Sequence, residues 1–329
     1  MEQAFLGKTG VRISRLVLGT MSFGGDADEA TAGALYRRAR LAGIQTFDCA
    51  DVYNGGRAEE ILGRLVREER DDLVLMSKAY FPVRATANAR GSSRFHLVRA
   101  VEASLRRLQT DRIDVFFLHR HDDETDPEET LRGLELLVQQ GKILYPAVSN
   151  FAAWQTSRAL GLQRQMGWAP MVATQPMYNL VKRQAEVEIL PMAAAEGLAV
   201  LPYSPVAGGL LSGKYVASAS ARGRIADNAM YATRYGGDEP ARVAAAFSAL
   251  AAELGVHPVT LAVAWVRSHP HVTAPLIGAR SVEQLEPSLA AATLDLDAST
   301  RARIGALSAT PAPATDRNEE ASAHNYGAR

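Results

Sequence analysis

The sequence has little of what would place a protein at once. A single cysteine, Cys49, in 329 residues excludes an internal disulfide framework and suits a reducing compartment. Neither sign of charge is in excess, with 36 Lys+Arg against 36 Asp+Glu, so no long-range field draws the chain to nucleic acid or to an anionic membrane. A small, neutral partner fits better. No apolar run approaches the roughly 18 residues of a membrane span, and the opening MEQAFLGKTG lacks the basic start and apolar stretch of a signal peptide. The expectation is a cytoplasmic protein. No GxGxxG follows the first apolar run, since LGTMSFGG places glycines at 19, 24 and 25, which weighs against an open dinucleotide-binding sheet.

What is present is a regular alternation. Apolar, β-rich runs occur at LVLG (16 to 19), IQTFD (44 to 48), LVLMSK (73 to 78), DVFFLH (114 to 119), ILYPAVS (143 to 149), MVATQ (171 to 175), AVLPYS (199 to 204) and TAPLIG (273 to 278). Segments of helical period lie between them, at 28 to 42, 57 to 69, 92 to 108, 127 to 140, 151 to 166, 184 to 196 and 281 to 292, with a longer pair over 240 to 269. Eight strand–helix units with strands apolar throughout point to a parallel sheet covered by helices, closed into a (β/α)8 barrel. A doubly wound open sheet is the runner-up. Ahead of the first unit, AFLGKTGVRIS reads as a hairpin turning at Lys8-Thr9-Gly10, suited to plugging the barrel's lower end. No low-complexity linker divides the chain, so residues 1 to 329 read as one domain. The segment 215 to 239 exceeds what a barrel needs and reads as a lid; the tail 309 to 329 is short on large apolar residues, and such tails are often mobile.

Chemistry in a parallel barrel sits at the carboxyl ends of the strands. The polar residues there are Asp48, with Asp51 and Tyr53 in the following loop, then Lys78, His119, Ser149, Asn150, Gln175, Tyr203 and Ser204. Taken singly each has an ordinary reading: an ion pair between adjacent strands, a histidine or tyrosine packed at the rim, a Ser-Asn helix cap. Taken together they suit carbonyl chemistry. A lysine cation lowers a nearby phenol's pKa, an aspartate holds the lysine, and an imidazole can orient a carbonyl oxygen. HRHDD (119 to 123) could instead suggest a metal, but the second histidine need not share a face past the strand end, and no HExxH or cysteine pair completes a site. No metal is expected. Cys49, with no histidine beside it in sequence, reads as a packed residue rather than a nucleophile.

The order Asp48, Tyr53, Lys78, His119, within LGTMSFGG, FDCADVYNGG, AEEILG, LMSK, VSNF, QPMYN, YSPVAGGLLSGKY and IGARSVEQL, resembles the aldo-keto reductases from about residue 5 to residue 292. The resemblance implies a (β/α)8 barrel holding NADP(H) without a Rossmann domain and reducing an aldehyde or ketone. By that analogy Tyr53 is the general acid, Lys78 tunes it, Asp48 holds Lys78, and His119 orients the carbonyl. Ser149, Asn150 and Gln175 would hold the carboxamide and Tyr203 would stack on the nicotinamide. Ser204, Gly208, Leu210 and Lys214 would line the pyrophosphate, and Gly278, Arg280 and Gln284 the adenosine, with Arg280 facing a 2′-phosphate. Arg222 or Arg224 would touch phosphate if the 215 to 239 segment closes as a gate. Two places where many members carry Glu and Asn against the adenine are Pro287 and Ser288 here. Potassium-channel β subunits resemble the same family, so a cofactor-sensing interaction protein is the alternative to a reductase. A lyase or isomerase needing no nicotinamide ranks last, because it leaves Ser149, Asn150, Gln175 and Lys214 without a shared purpose. The sequence fixes neither the oligomeric state nor the physiological substrate.

Overall fold

A computed structural model describes residues 1 to 217, 223 to 315, 317, 319 and 322. An antiparallel hairpin comes first: β1 (Gln3–Phe5) pairs with β2 (Arg12–Ser14), with Ala4 opposite Ile13. Eight parallel strands follow: β3 (Val17–Gly19), β4 (Thr46–Asp48), β5 (Val74–Ala79), β6 (Ile113–Leu118), β7 (Ile143–Ser149), β8 (Ala173–Gln175), β9 (Ala199–Val200) and β10 (Leu276–Ile277). They are ordered β10-β3-β4-β5-β6-β7-β8-β9. Hydrogen bonds from Thr273 N to Val200 O (2.9 Å) and Leu276 N to Pro202 O (2.9 Å) close the ring. This is the (β/α)8 barrel, with all eight expected runs as its staves. The last two staves are shorter than their runs because Pro202 and Pro275 each remove an N–H from the ladder.

The strands sort their residues by parity. Along β6, Val115 and Phe117 belong to the inner cluster, with Leu6, Ile13, Val17 and Met76, whereas Phe116 and Leu118 pack outward with the helices. Both faces are covered, which is why VFFL is apolar throughout. The inward parity that fills the barrel with 115 and 117 carries on to His119. Likewise Met76 leads to Lys78, Ala147 to Ser149, Ala173 to Gln175, and Ala199 and Leu201 to Tyr203. Several strands thus deliver inward polar groups at one end of a packed core.

Helices cover the outside, several with a readable start. Asp28 caps Glu29–Leu41 by accepting from Thr31 N at 2.8 Å, Ser93 caps Arg94–Leu108, and Asp126 precedes Pro127 at the first position of Pro127–Gln139. One expected cap is absent. Neither Ser149 nor Asn150 caps the helix Ala153–Met166; its cap is Ala152, whose N–H donates to Gln155 Oε1 at 2.8 Å. The Ser-Asn pair lies too far upstream, and its side chains are used elsewhere. The segment after Gly213 holds short helices at Lys214–Ala217, Arg224–Asp227 and Ala229–Tyr235, and Arg222 lies outside the described residues. A further helix, Ala298–Gly305, was not anticipated by the sequence pattern. Among the described residues no single helix is long and apolar enough to cross a membrane.

Candidate active site

At the carboxyl ends of the strands lies a cavity of about 870 Å3. On its floor, Asp48 and Lys78 are buried. The Lys78 ammonium has three donors and three partners: Asp48 Oδ2 at 2.6 Å, Cys49 O at 2.7 Å and Tyr53 Oη at 3.4 Å. Burial opposes its charge, but the facing Asp48 and Tyr53 outweigh it and hold the ammonium above its ordinary range. The second oxygen of Asp48 accepts from Gln175 Nε2 at 2.9 Å. Four side chains from three strands and one loop form a single hydrogen-bonded chain.

The Tyr53 phenol departs from expectation. Burial pushes it up to about 12, although Lys78 pulls it down. Lys78 is neutralised at close range by Asp48, so at 3.4 Å the phenol feels an ion pair rather than a lone cation, and loss of hydration wins. The phenol therefore keeps its proton at neutral pH. Because its oxygen already accepts from Lys78, its O–H can be directed to another acceptor. The loop bearing it is pinned by Asn54, which takes a left-handed φ of 50° and donates to Met21 O (3.0 Å) and Phe23 O (2.8 Å).

His119 meets the edges of Phe81 and Tyr53, with ring centroids 5.0 and 6.0 Å away. Burial, aided by the Lys78 charge, lowers its pKa to about 3, so the ring is neutral. Its Nδ1 is buried with no partner among the described residues. His121 turns elsewhere, to Asp123 at 3.1 Å and the edge of Phe151. Asp51 is also buried, and neither of its oxygens has a hydrogen-bond partner among the described residues. Burial chiefly, with Glu59 adding repulsion, raises it to about 8. Burial likewise pushes the Cys49 thiol up, as suits a packed residue.

The wall beyond Gln175 is built from amides and hydroxyls. Ser149 Oγ donates to Gln175 O at 3.0 Å, while Asn150 Nδ2 donates to His119 O at 3.0 Å and Asn150 Oδ1 accepts from the Tyr203 hydroxyl at 2.7 Å. Ser204, Gly208, Lys214, Arg224, Gly278, Arg280 and Gln284 all line the same cavity. Gly208 has φ 66°, and a Cβ there would stand 2.7 Å from the Tyr231 ring, so only glycine fits this cradle. Leu210 does not line the cavity: its side chain is buried in the core beneath the helices, where an apolar chain gains most. Arg280 Nε pairs with Asp26 at 2.8 Å. Pro287 and Ser288 line the far end, with Pro287 O accepting from Thr260 Oγ1 at 2.7 Å.

Residues that sequence reasoning passed over also line the cavity: Met21, Val52, Phe81, Arg120, Tyr231 and Arg234. Phe81 and Arg120 were within reach, one to three residues beyond strand-end residues already singled out. Tyr231 and Arg234 belong to the segment after β9, where no periodicity announces which side chain faces inward. Among the described residues, no group of three His, Cys, Asp or Glu could hold a metal ion.

A nicotinamide dinucleotide fits these residues: a long cavity with amide donors and acceptors and a stacking-sized tyrosine in one part, a glycine cradle with Lys214 and Arg224 further along, and Arg280 towards the far end. Comparison with known proteins agrees with the fold. The model of the Aldo/keto reductase family matches residues 15–309. An uncharacterized oxidoreductase of Bacillus subtilis (strain 168) is 39% identical over 308 residues, 90% of this chain and 93% of that protein. A protein of Oryza sativa subsp. japonica named "Probable voltage-gated potassium channel subunit beta" is 34% identical over 299 residues, 88% of this chain and 91% of its own length. Versiconal hemiacetal acetate reductase of Aspergillus parasiticus is 30% identical over 323 residues, covering 90% of this chain and 94% of that enzyme. With a match running through nearly the whole barrel and relatives aligned over almost their full length, the chain belongs to the aldo/keto reductase family of oxidoreductases.

Proposed function

We propose that the protein reduces aldehydes or ketones to alcohols with NADPH, Tyr53 acting as the general acid. The observation that carries this reading is the chain Gln175–Asp48–Lys78–Tyr53 beside a neutral His119. The cofactor, when bound, supplies the hydride. Asp48 keeps Lys78 charged and in place. Lys78, donating to the Tyr53 oxygen, steadies the phenolate that remains once the proton has left, a demand that arises only as the reaction proceeds. The neutral His119 offers an N–H to the substrate oxygen without competing for Tyr53's proton.

The remaining assignments follow the same logic. Ser149, Asn150 and Gln175 would hold the carboxamide, Tyr203 would stack on the ring, and Ser204, Gly208 and Lys214 would flank the pyrophosphate. Gly278, Arg280 and Gln284 would meet the adenosine. A 2′-phosphate would compete with Asp26 for the Arg280 guanidinium, and its greater charge favours it in that exchange. Arg224, which lines the cavity from the segment after β9, would touch phosphate.

The test is NADPH oxidation by purified protein against a panel of aromatic, aliphatic and dicarbonyl aldehydes, with NADH and Tyr53→Phe beside it. Turnover that vanishes in Tyr53→Phe supports the assignment; turnover retained in the variant removes it. The likeness to a protein named for a potassium channel favours a second reading, a cofactor-sensing interaction protein. It predicts tight NADPH binding, negligible turnover across the panel, and a protein complex whose formation depends on NADP(H).

A further inference from the structure

The chain's balanced total charge conceals a local segregation inside the cavity. Of the cations lining it among the described residues, Lys214, Arg224 and Arg234 come after β9, and Arg280 comes after β10. Arg120 alone follows β6. In the closed order β10-β3-β4-β5-β6-β7-β8-β9, β6 stands four strands from β10 in either direction, so Arg120 lies across the barrel mouth from Arg280. The phosphates of a dinucleotide that uses Lys214, Arg224 and Arg280 leave this guanidinium unaccounted for.

Its surroundings are those of a binding group rather than a structural one. Arg120 immediately follows His119, whose ring lies 5.0 Å from that of Phe81, and Phe81, Val52 and Met21, all without charge, line the same cavity. Among the described residues it pairs with Asp123 at 4.0 Å, with the two side chains 54% and 71% exposed, and such a pair contributes little. Its guanidinium lies 5.9 Å from the centre of the Tyr80 ring, a contact that steadies the side chain without occupying its donors. A planar fork of N–H donors next to the residue that meets the carbonyl suits a carboxylate on the same small molecule.

Building on the reductase reading above, we infer that the substrates are carbonyl compounds bearing an anionic group, and that Arg120 is the residue that selects for it. The aromatic and aliphatic wall would take the carbon skeleton, and Arg120 the carboxylate. Arg120 binds substrate and takes no part in proton or hydride transfer.

The experiment compares 4-carboxybenzaldehyde with its methyl ester, which keeps the shape and removes the charge. The wild-type protein should favour the acid in kcat/KM by about 10-fold, the order expected of one charge-assisted pair. In Arg120→Met that ratio should fall to near one, mainly through KM for the acid, because uniform binding is lost. Arg120→Glu should invert it and Arg120→Lys should restore part of it, a pattern that a merely structural role would not produce. Equal treatment of acid and ester by wild type, or a preference that survives in Arg120→Met, would overturn the inference. Should neither aldehyde be turned over, the reductase reading is decided by the wider panel above, and the anion site is judged by binding of 4-(hydroxymethyl)benzoate. Binding lost in Arg120→Met keeps the site, and equal binding removes it.

Discussion

The floor of the cavity and its flank are built on opposite principles. Asp48, Lys78, His119 and Gln175 sit at the ends of strands β4, β5, β6 and β8, buried, with their direction set by the alternation that packs the barrel below them. Lys214, Arg224 and Arg234 sit on short helices strung between Gly213 and Gly236, and their side chains reach the cavity from outside the barrel. The floor is suited to chemistry that fails when a group moves by an ångström. The flank is suited to a grip that must open. The difference teaches that one site can divide its labour by the rigidity of what carries each side chain.

If that division is right, substitutions on the floor should act on turnover and those on the flank on cofactor exchange. Tyr53→Phe should lower kcat by at least about 100-fold while the NADPH dissociation constant changes little; steady-state rates and a binding titration read the two separately. Lys78→Met should also lower kcat. It leaves Asp48 as a buried carboxylate without its cation, so denaturant unfolding should show a loss on the order of 3–5 kcal/mol. Asp48→Asn combined with Lys78→Met should recover part of that loss.

Beyond the floor, Arg280→Ala should reduce the preference for NADPH over NADH by about 10-fold, the scale of one charge-assisted contact, measured as the ratio of kcat/KM values for the two cofactors. Arg224→Ala should do less, raising the NADPH release rate a few-fold with kcat for chemistry unaltered in single turnovers. An unchanged dissociation constant and release rate would remove Arg224 from the grip.

The last prediction concerns pH, and here two buried residues oppose each other. His119, with its folded pKa lowered to about 3, takes up its proton more readily when unfolded, so its neutral burial is free of penalty above about pH 6.5 and increasingly unfavourable from there down to about pH 3. Asp51, raised to about 8, binds its proton more readily when folded. Its contribution is fully present below about pH 4 and is lost as pH rises towards 8. Stability against pH should therefore lose part of its acid-side fall in His119→Asn and part of its alkaline-side fall in Asp51→Asn. A curve left unaltered by both substitutions would mean that water reaches these groups.

The same contrast explains what could be read from sequence. The staves were legible because a barrel strand covered on both faces must be apolar along its whole length, and the first polar residue after it marks the mouth. That rule located Asp48, Lys78, His119 and Gln175. It did not foresee that Gln175 would be tied to Asp48, because a contact between residues 127 positions apart has no local signature. The phenol of Tyr53 was misjudged, since the pairing of Lys78 was known but the cost of burial was not weighed. Leu210 was misplaced because a motif specifies the backbone's path past a ligand and not the side chain's direction. Along the flank, the short helices gave too few turns for periodicity to show, and Tyr231 and Arg234 went unnoticed.

The hairpin beneath the barrel sets an order of events. Leu6 and Ile13 are buried in the inner cluster with Val172, Ala199 and Leu276, and a Cβ on Gly7 would stand only 2.8 Å from Val172 O. Residues of the hairpin are therefore seated against surfaces that come much later in the chain. Until β8 and β9 exist the hairpin has nothing to cork, and the closure entropy of so long a loop delays it further. The bottom of the barrel is sealed by a segment that precedes its first stave and needs its last ones, which makes Leu6 and Ile13 a natural place to read, by hydrogen exchange or a destabilising substitution, whether the ring has closed.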